Sequence, residues 1–207
     1  MRQFPKPCAF SETPQGADTS LGVIEMPRYA IDINRIVTKE ETQQMIYNAT
    51  RARDSALVAC LYLTGARPVE AAQLMSNDVS IDEPNNLFYI KMQTAKLGKT
   101  TDFFVPERIL TISLDAPFAR LFLEYVKNLR EDCLAFPIKP GTIFTIIKKL
   151  SGGTACPYSF RHSRLTKLAR ENDATRDELM YWKGARDGRS VDAYISAKPI
   201  GRRLNIS

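Results

Sequence analysis

The stretch from Pro157 to Ile195, PYSFRHSRLTKLARENDATRDELMYWKGARDGRSVDAYI, sets the hardest constraint on what this chain can fold into. Over Ser159–Glu171 the residues Arg161, Leu165, Leu168 and Ala169 fall at i, i+4, i+7 and i+8, one face of a helix. An arginine keeps its charge under ordinary conditions. On an apolar face it needs an acidic partner or a bound anion. The fold has to bring that partner to Arg161.

Taken from its start, the chain opens with Pro5, Pro7, Pro14 and Pro27 interspersed with Gly16 and Gly22, and no period persists. Residues 1–35 therefore read as an extended, partly disordered lead-in, and 36–207 as one domain. Thr38 with Glu41 is a capping-box signature for a helix from Lys39 to about Arg51. Asp54 caps a second helix, Ser55–Leu63, apolar almost all round and so buried. Gly65 ends it, and Pro68 fits the first position of a third helix. Arg67 then stands in a helix-to-helix corner, beside free N–H groups that favour anions. Glu70 lies one turn in.

The period changes after Asn77. Val79–Ile81, Leu87–Gln93 and Asp102–Val105 read as three short strands, with Pro84-Asn85-Asn86 and Leu97-Gly98-Lys99 as turns. Lys96 stands at the tip of the second hairpin. Helical spacing returns over Asp115–Arg130 and Thr142–Leu150. Beyond the arginine-bearing helix, Asp173 or Thr175 caps a helix over Glu178–Trp182, and Ser190 caps a last one bearing Tyr194. The fold class is α+β, mostly helical, with a small three-stranded antiparallel sheet.

The chain carries a formal charge of +6, unevenly spread. From Ser151 onward there are eleven Lys or Arg against six acids, while the first 150 residues carry eighteen against seventeen. The surplus lies beside the arginine-bearing stretch and suits a polyanionic partner. No apolar run approaches the ~20 residues of a membrane span, and no secretory signal opens the chain. Cys8, Cys60, Cys133 and Cys156 are widely separated, and His162 is the only histidine. That set does not make a structural zinc site of ordinary spacing. Cys60, in the apolar helix, reads as a core thiol.

Four boxes carry a family resemblance. SFRHSRLT resembles the second arginine box of the tyrosine recombinases, the phage-integrase type of site-specific DNA recombinase. YWKGARDGRSVDAYI resembles their closing box, LYLTGARPVEAAQL their first arginine box, and AKLGKTTDFFVP the hairpin that holds their catalytic lysine. The boxes occur in the family's order and span about Ile36 to Tyr194, most of the chain. Most members carry a further helical domain ahead of these boxes that clamps the far side of the DNA, for which thirty-five residues are too few. Either the sequence is a fragment or the protein is a minimal, catalytic-domain form.

The resemblance implies cleavage and rejoining of double-stranded DNA through a 3′-phosphotyrosyl intermediate, without metal or other cofactor. Tyr194 matches the nucleophile. Arg67 and Arg161 match the arginines that hold the non-bridging phosphate oxygens. Lys96 matches the lysine that protonates the leaving 5′-oxygen, with Lys99 a near neighbour that can take the role. Glu70 matches the acid that holds the second arginine, and so answers the demand made by Arg161. Trp182 matches a His-or-Trp position and has an indole N–H to donate.

The chain departs from the common His-x-x-Arg pattern by placing Tyr158 where the family has histidine. A tyrosine donates a hydrogen bond but accepts a proton poorly at neutral pH. His162, next to Arg161, lies on a different helix face and reads as a packing residue. Lys99, Arg164, Lys183, Arg186 and Arg189 are candidate DNA contacts. The expected assembly is a homo-oligomer on DNA, dimer or tetramer, in the host cytoplasm with the nucleoid and with no membrane role. A mobile element or virus is the expected source. Rival readings are a type IB topoisomerase, which shares the chemistry, and a DNA-binding relative that has lost catalysis.

Overall fold

The computed structural model describes residues 35–94, 107–185 and 187–196. The expected lead-in over 1–35, apart from its last residue, and the tail after Ser196 lie outside them. Among the described residues there are eight α-helices and three strands: α1 Lys39–Asn48, α2 Ala52–Thr64, α3 Pro68–Gln73, β1 Val79–Asp82, β2 Leu87–Gln93, β3 Glu107–Ser113, α4 Ala119–Lys127, α5 Pro140–Leu150, α6 Pro157–Glu171, α7 Arg176–Lys183 and α8 Arg189–Ser196.

Helix α2 is the centre of the bundle. Its residues Ala56–Leu61 and Leu63 are wholly buried, which matches an apolar surface on every side. Helices α1, α4 and α6 pack around it. Gly65 closes α2 in the left-handed region, φ 63°, and its N–H bonds to Leu61 O. Glycine is required here for a second reason. A Cβ on Gly65 would lie 3.2 Å from the Cα of Arg161 and 3.1 Å from the Cβ of Arg164. The end of α2 can touch the backbone of α6 only without a side chain.

The capping box of α1 is present as read, with Thr38 Oγ1 accepting from Glu41 N. Two helix starts differ, those of α2 and α8, and one of the two caps offered for α7 is present. Asp54 lies inside the first turn of α2, paired with Arg53 at 2.8 Å, and Arg51 precedes the helix. Thr175, not Asp173, caps α7. Helix α8 begins at Arg189, so Ser190 is inside it, its hydroxyl donating to Asp187 O at 2.8 Å.

The sheet runs β1-β2-β3, antiparallel throughout. Its inner face comprises Phe88, Ile90 and Met92 from β2 with Arg108, Leu110 and Ile112 from β3, and these are buried while their neighbours face outward. The third strand of the sheet is Glu107–Ser113, a run that was not expected as a strand. The turn expected at 97–99 and the expected strand at 102–105 lie outside the described residues. The run ERILTIS alternates inward and outward, but it carries an arginine at an inward position, which disguised it.

The main core joins α1–α6 and the sheet. A smaller apolar cluster, Leu165, Ala169, Leu179 and Val191, holds α6, α7 and α8 together, and Trp182 packs against both. This second cluster hangs the last helix beside the arginine-bearing one.

Candidate active site

Glu70 is the hub. It sits in the first turn of α3 with its side chain wholly buried, and three guanidinium groups surround it. Its Oε1 accepts from Arg67 Nη1 at 2.6 Å, and its Oε2 from Arg67 N at 2.9 Å and Arg108 Nη2 at 2.8 Å. Arg161 Nη1 lies 3.7 Å from Oε2. Burial by itself would raise the Glu70 carboxyl, but Arg108 and Arg161 outweigh it and hold the group below its ordinary value of 4.5.

Arg161 forms the expected ion pair with Glu70, at 3.7 Å. Its hydrogen bonds go instead to backbone carbonyls: Nη1 donates to Gly65 O at 2.9 Å and Nη2 to Lys183 O. Both acceptors are carbonyls at helix ends, where the partial negative charge of the helix gathers. Burial and the nearby cations Arg67 and Arg108 push the Arg161 guanidinium down to about 10, so it remains charged at neutral pH.

Glu70 is instead engaged most tightly by Arg67 and by Arg108, a residue that the sequence reading missed. Arg108 is 2% exposed. It spends its remaining donors on Trp182 O at 3.0 Å and Thr94 Oγ1 at 3.3 Å. It therefore joins α3, β3 and the end of α7. The signal that was available is its inward place in an alternating strand.

Tyr194, on α8, is half-buried beside this cluster. Its hydroxyl lies 3.3 Å from Nδ1 of His162, and Lys183 Nζ is 5.4 Å from the centroid of its ring. Burial raises the phenol above its ordinary value of 10, and the charge of Arg161 pulls it back. Lys183 is pushed down to about 8 by burial and by Arg161 and Arg67. Its ammonium donates to Ser190 O, tying α7 to α8.

Lys96, Lys99 and Arg186 lie outside the described residues. Tyr158 is 42% exposed, and its ring packs against Phe144 of α5 with centroids 5.8 Å apart. Trp182 does not offer its N–H to the cluster: Nε1 donates to Thr64 O at 2.8 Å, pinning α7 to the end of α2. Arg164, an expected DNA contact, is half-buried. Its guanidinium lies 4.8 Å from the centroid of the Trp182 ring, and burial pushes it down to about 10. Arg189 is exposed and pairs with Asp187 at 2.9 Å.

A helical bundle around an apolar central helix, flanked by a three-stranded antiparallel sheet and closed by a short tyrosine-bearing helix, is the fold of the tyrosine recombinase catalytic domain. The chain is similar in sequence to the tyrosine recombinase XerA of Pyrococcus horikoshii, 25% identical over 164 residues, which are 74% of this chain and 54% of that protein. It thus spans about half the length of that relative. Among solved structures it resembles the XerA recombinase, with a TM-score of 0.58 at 18% identity over 92% of this chain and 65% of the other. It also resembles the XerH recombinase bound to its difH substrate before cleavage, TM-score 0.59 at 16% identity over 81% and 51%. A third likeness is to the Tn1549 transposon integrase in complex with transposon right-end DNA, TM-score 0.55 at 15% identity over 80% and 61%. No protein-family model matches the chain. Among the described residues no helix is long and apolar enough to cross a membrane.

Proposed function

We propose that this chain cleaves and rejoins double-stranded DNA at specific sites, as a recombinase or integrase of a mobile element or virus, with Tyr194 as nucleophile. The observation that carries this reading is the charge of the cluster. Three guanidinium groups surround one carboxylate beside a half-buried tyrosine hydroxyl, leaving a surplus of positive charge that a phosphodiester would neutralise.

In this reading Tyr194 Oη attacks phosphorus, the 3′-phosphotyrosyl bond forms and the 5′-oxygen leaves. Arg67 and Arg161 hold the non-bridging oxygens as negative charge develops on them. Glu70 and Arg108 position those arginines. The exposed Tyr158 hydroxyl donates to the phosphate, and Lys96 or Lys99 protonates the leaving oxygen. Lys183, Arg186 and Arg189 contact the DNA backbone near Tyr194. The protein acts as a dimer or tetramer on DNA, in the nucleoid.

The test is covalent capture. The chain is mixed with a pool of nicked duplexes with randomised flanks, and complexes that survive denaturing detergent are recovered in excess EDTA. Covalent protein–DNA complexes enriched in one sequence are expected, since the arginines supply the positive charge. No covalent complex, or one formed only with added Mg²⁺, would contradict the reading. Relaxation of supercoiled plasmid without sequence enrichment would point to the topoisomerase.

A further inference from the structure

His162 and Arg161 are neighbours in sequence, so they point about 100° apart around α6. On sequence grounds that difference argued against a role for the histidine at the site. In the structure the site wraps both directions. Arg161 reaches the end of α2, at Gly65 O. His162, 4% exposed, faces α8, where its Nδ1 lies 3.3 Å from the hydroxyl of Tyr194, with ring centroids 5.2 Å apart. Its Nε2 lies 3.4 Å from Thr166 Oγ1, one turn along the same helix. The tautomer with its ring proton on Nε2 presents Nδ1 as an acceptor for the phenol.

A phenol needs a proton acceptor to attack phosphorus at neutral pH, and burial makes Tyr194 harder to ionise than a free tyrosine. Tyr158 cannot accept that proton, and its ring is engaged with Phe144. Among the described residues, the charged groups around the pair include Arg161 on α6, Lys183 on α7 over the Tyr194 ring, and Arg67 behind them on α3, with Glu70 beyond. Arg161 and Arg67 favour a phenolate but have no lone pair to take its proton, the Glu70 oxygens are taken by Arg67 and Arg108, and Lys183, at about 8, is mostly protonated at neutral pH with its ammonium on Ser190 O. His162 is the only histidine in the chain, and its ring nitrogen is within reach of the reacting oxygen.

We infer that His162 is the general base that activates Tyr194, a role that rests on the DNA-cleaving reading above. As the Tyr194 Oη–phosphorus bond forms and the phosphorus–O5′ bond breaks, the phenolic proton passes to His162 Nδ1. The leaving 5′-oxygen takes its proton from the separate acid of the reaction. In rejoining, the imidazolium returns its proton to Tyr194 Oη as the phosphotyrosyl bond breaks.

The test measures single-turnover adduct formation on the captured nicked duplex, at saturating protein, across pH, for the wild type and His162→Asn. The asparagine keeps a polar atom near Nδ1 but cannot take up a proton. At neutral pH the variant should be slower by about 10²–10⁴-fold, as expected for loss of a general base, with DNA affinity unchanged. With rising pH the wild-type rate should level off. The variant's rate should keep climbing as hydroxide ionises the phenol, so the deficit shrinks. A deficit that is constant across pH, or a rate equal to the wild type's, would overturn the inference. Should His162→Asn not fold, His162→Gln takes its place. The wild-type profile also decides alone: a rate proportional to hydroxide throughout, with no levelling, excludes the histidine as base. Absence of any adduct from the wild-type protein would overturn the DNA-cleaving reading itself, and this inference with it.

Discussion

At the scale of single residues, the site is organised by Glu70, and its energetics follow from burial. Removing one member of a buried charge group strands the others. Glu70→Ala would leave Arg67, Arg108 and Arg161 facing each other without a counter-ion, and should cost about 3–5 kcal/mol of stability. Thermal unfolding measures this, and an unchanged melting temperature would contradict the geometry. The same carboxylate predicts a pH dependence. Its folded-state value lies below the ordinary 4.5, so its contribution is intact above that value and is lost as pH falls through the depressed one. Glu70→Gln should therefore show a shallower acid limb than the wild type. Tyr158 poses the opposite case. Its ring packs on Phe144 and its edge is exposed. Tyr158→Phe keeps the ring contact and removes the hydroxyl that the proposed mechanism sets against phosphate. Cleavage should slow roughly ten- to hundredfold, worth ~1.5–3 kcal/mol, with the melting temperature unchanged. Parental cleavage by that variant would end the role. Arg67, Glu70, Arg161 and Tyr194 were singled out from local motifs, and the fold brings them near one another. Arg108 was not, because its partner Glu70 lies 38 residues away, and His162 read as a packing residue because its neighbour on α8 is not visible from its own helix.

At the scale of elements, helices were easier to read than the last strand. Apolar spacing, Thr38, Gly65 and Pro68 mark helix bodies and ends locally. Strand β3 places a buried arginine between apolar neighbours, and only the tertiary partner Glu70 makes that tolerable. Sequence patterning weighs residues one at a time and so rejects such a strand. The turn after α7 depends on the same contact. Gly184 adopts φ 58°, and a Cβ there would lie 2.9 Å from Arg108 Nη1 and 3.3 Å from Thr94 Cγ2. Gly184→Ala carries the left-handed penalty of about 1–2 kcal/mol and also displaces Arg108 from the bond to Trp182 O. Stability and cleavage should fall together. Arg108→Lys, which keeps charge but loses the forked donors, should reproduce the loss of cleavage. A Gly184→Ala protein with unaltered melting and cleavage would show that Arg108 is not held by this turn.

At the scale of the whole molecule, the positive surplus of the C-terminal third and the second apolar cluster belong together. Leu165, Ala169, Leu179 and Val191 hold α8 against α6, so Tyr194 stands beside Arg161 of its own chain. The arrangement needs only a phosphodiester to neutralise the charge that remains. The measurement that tests this most directly is the site of covalent attachment. DNA cleaved in the presence of the protein is digested, and the peptide that retains a nucleotide is sequenced by mass spectrometry. The account predicts a phosphodiester on Tyr194, carried by the segment from Ser190 to Ile195, and no adduct from Tyr194→Phe while DNA binding persists. An adduct on any other tyrosine, or one of undiminished yield in Tyr194→Phe, would contradict it.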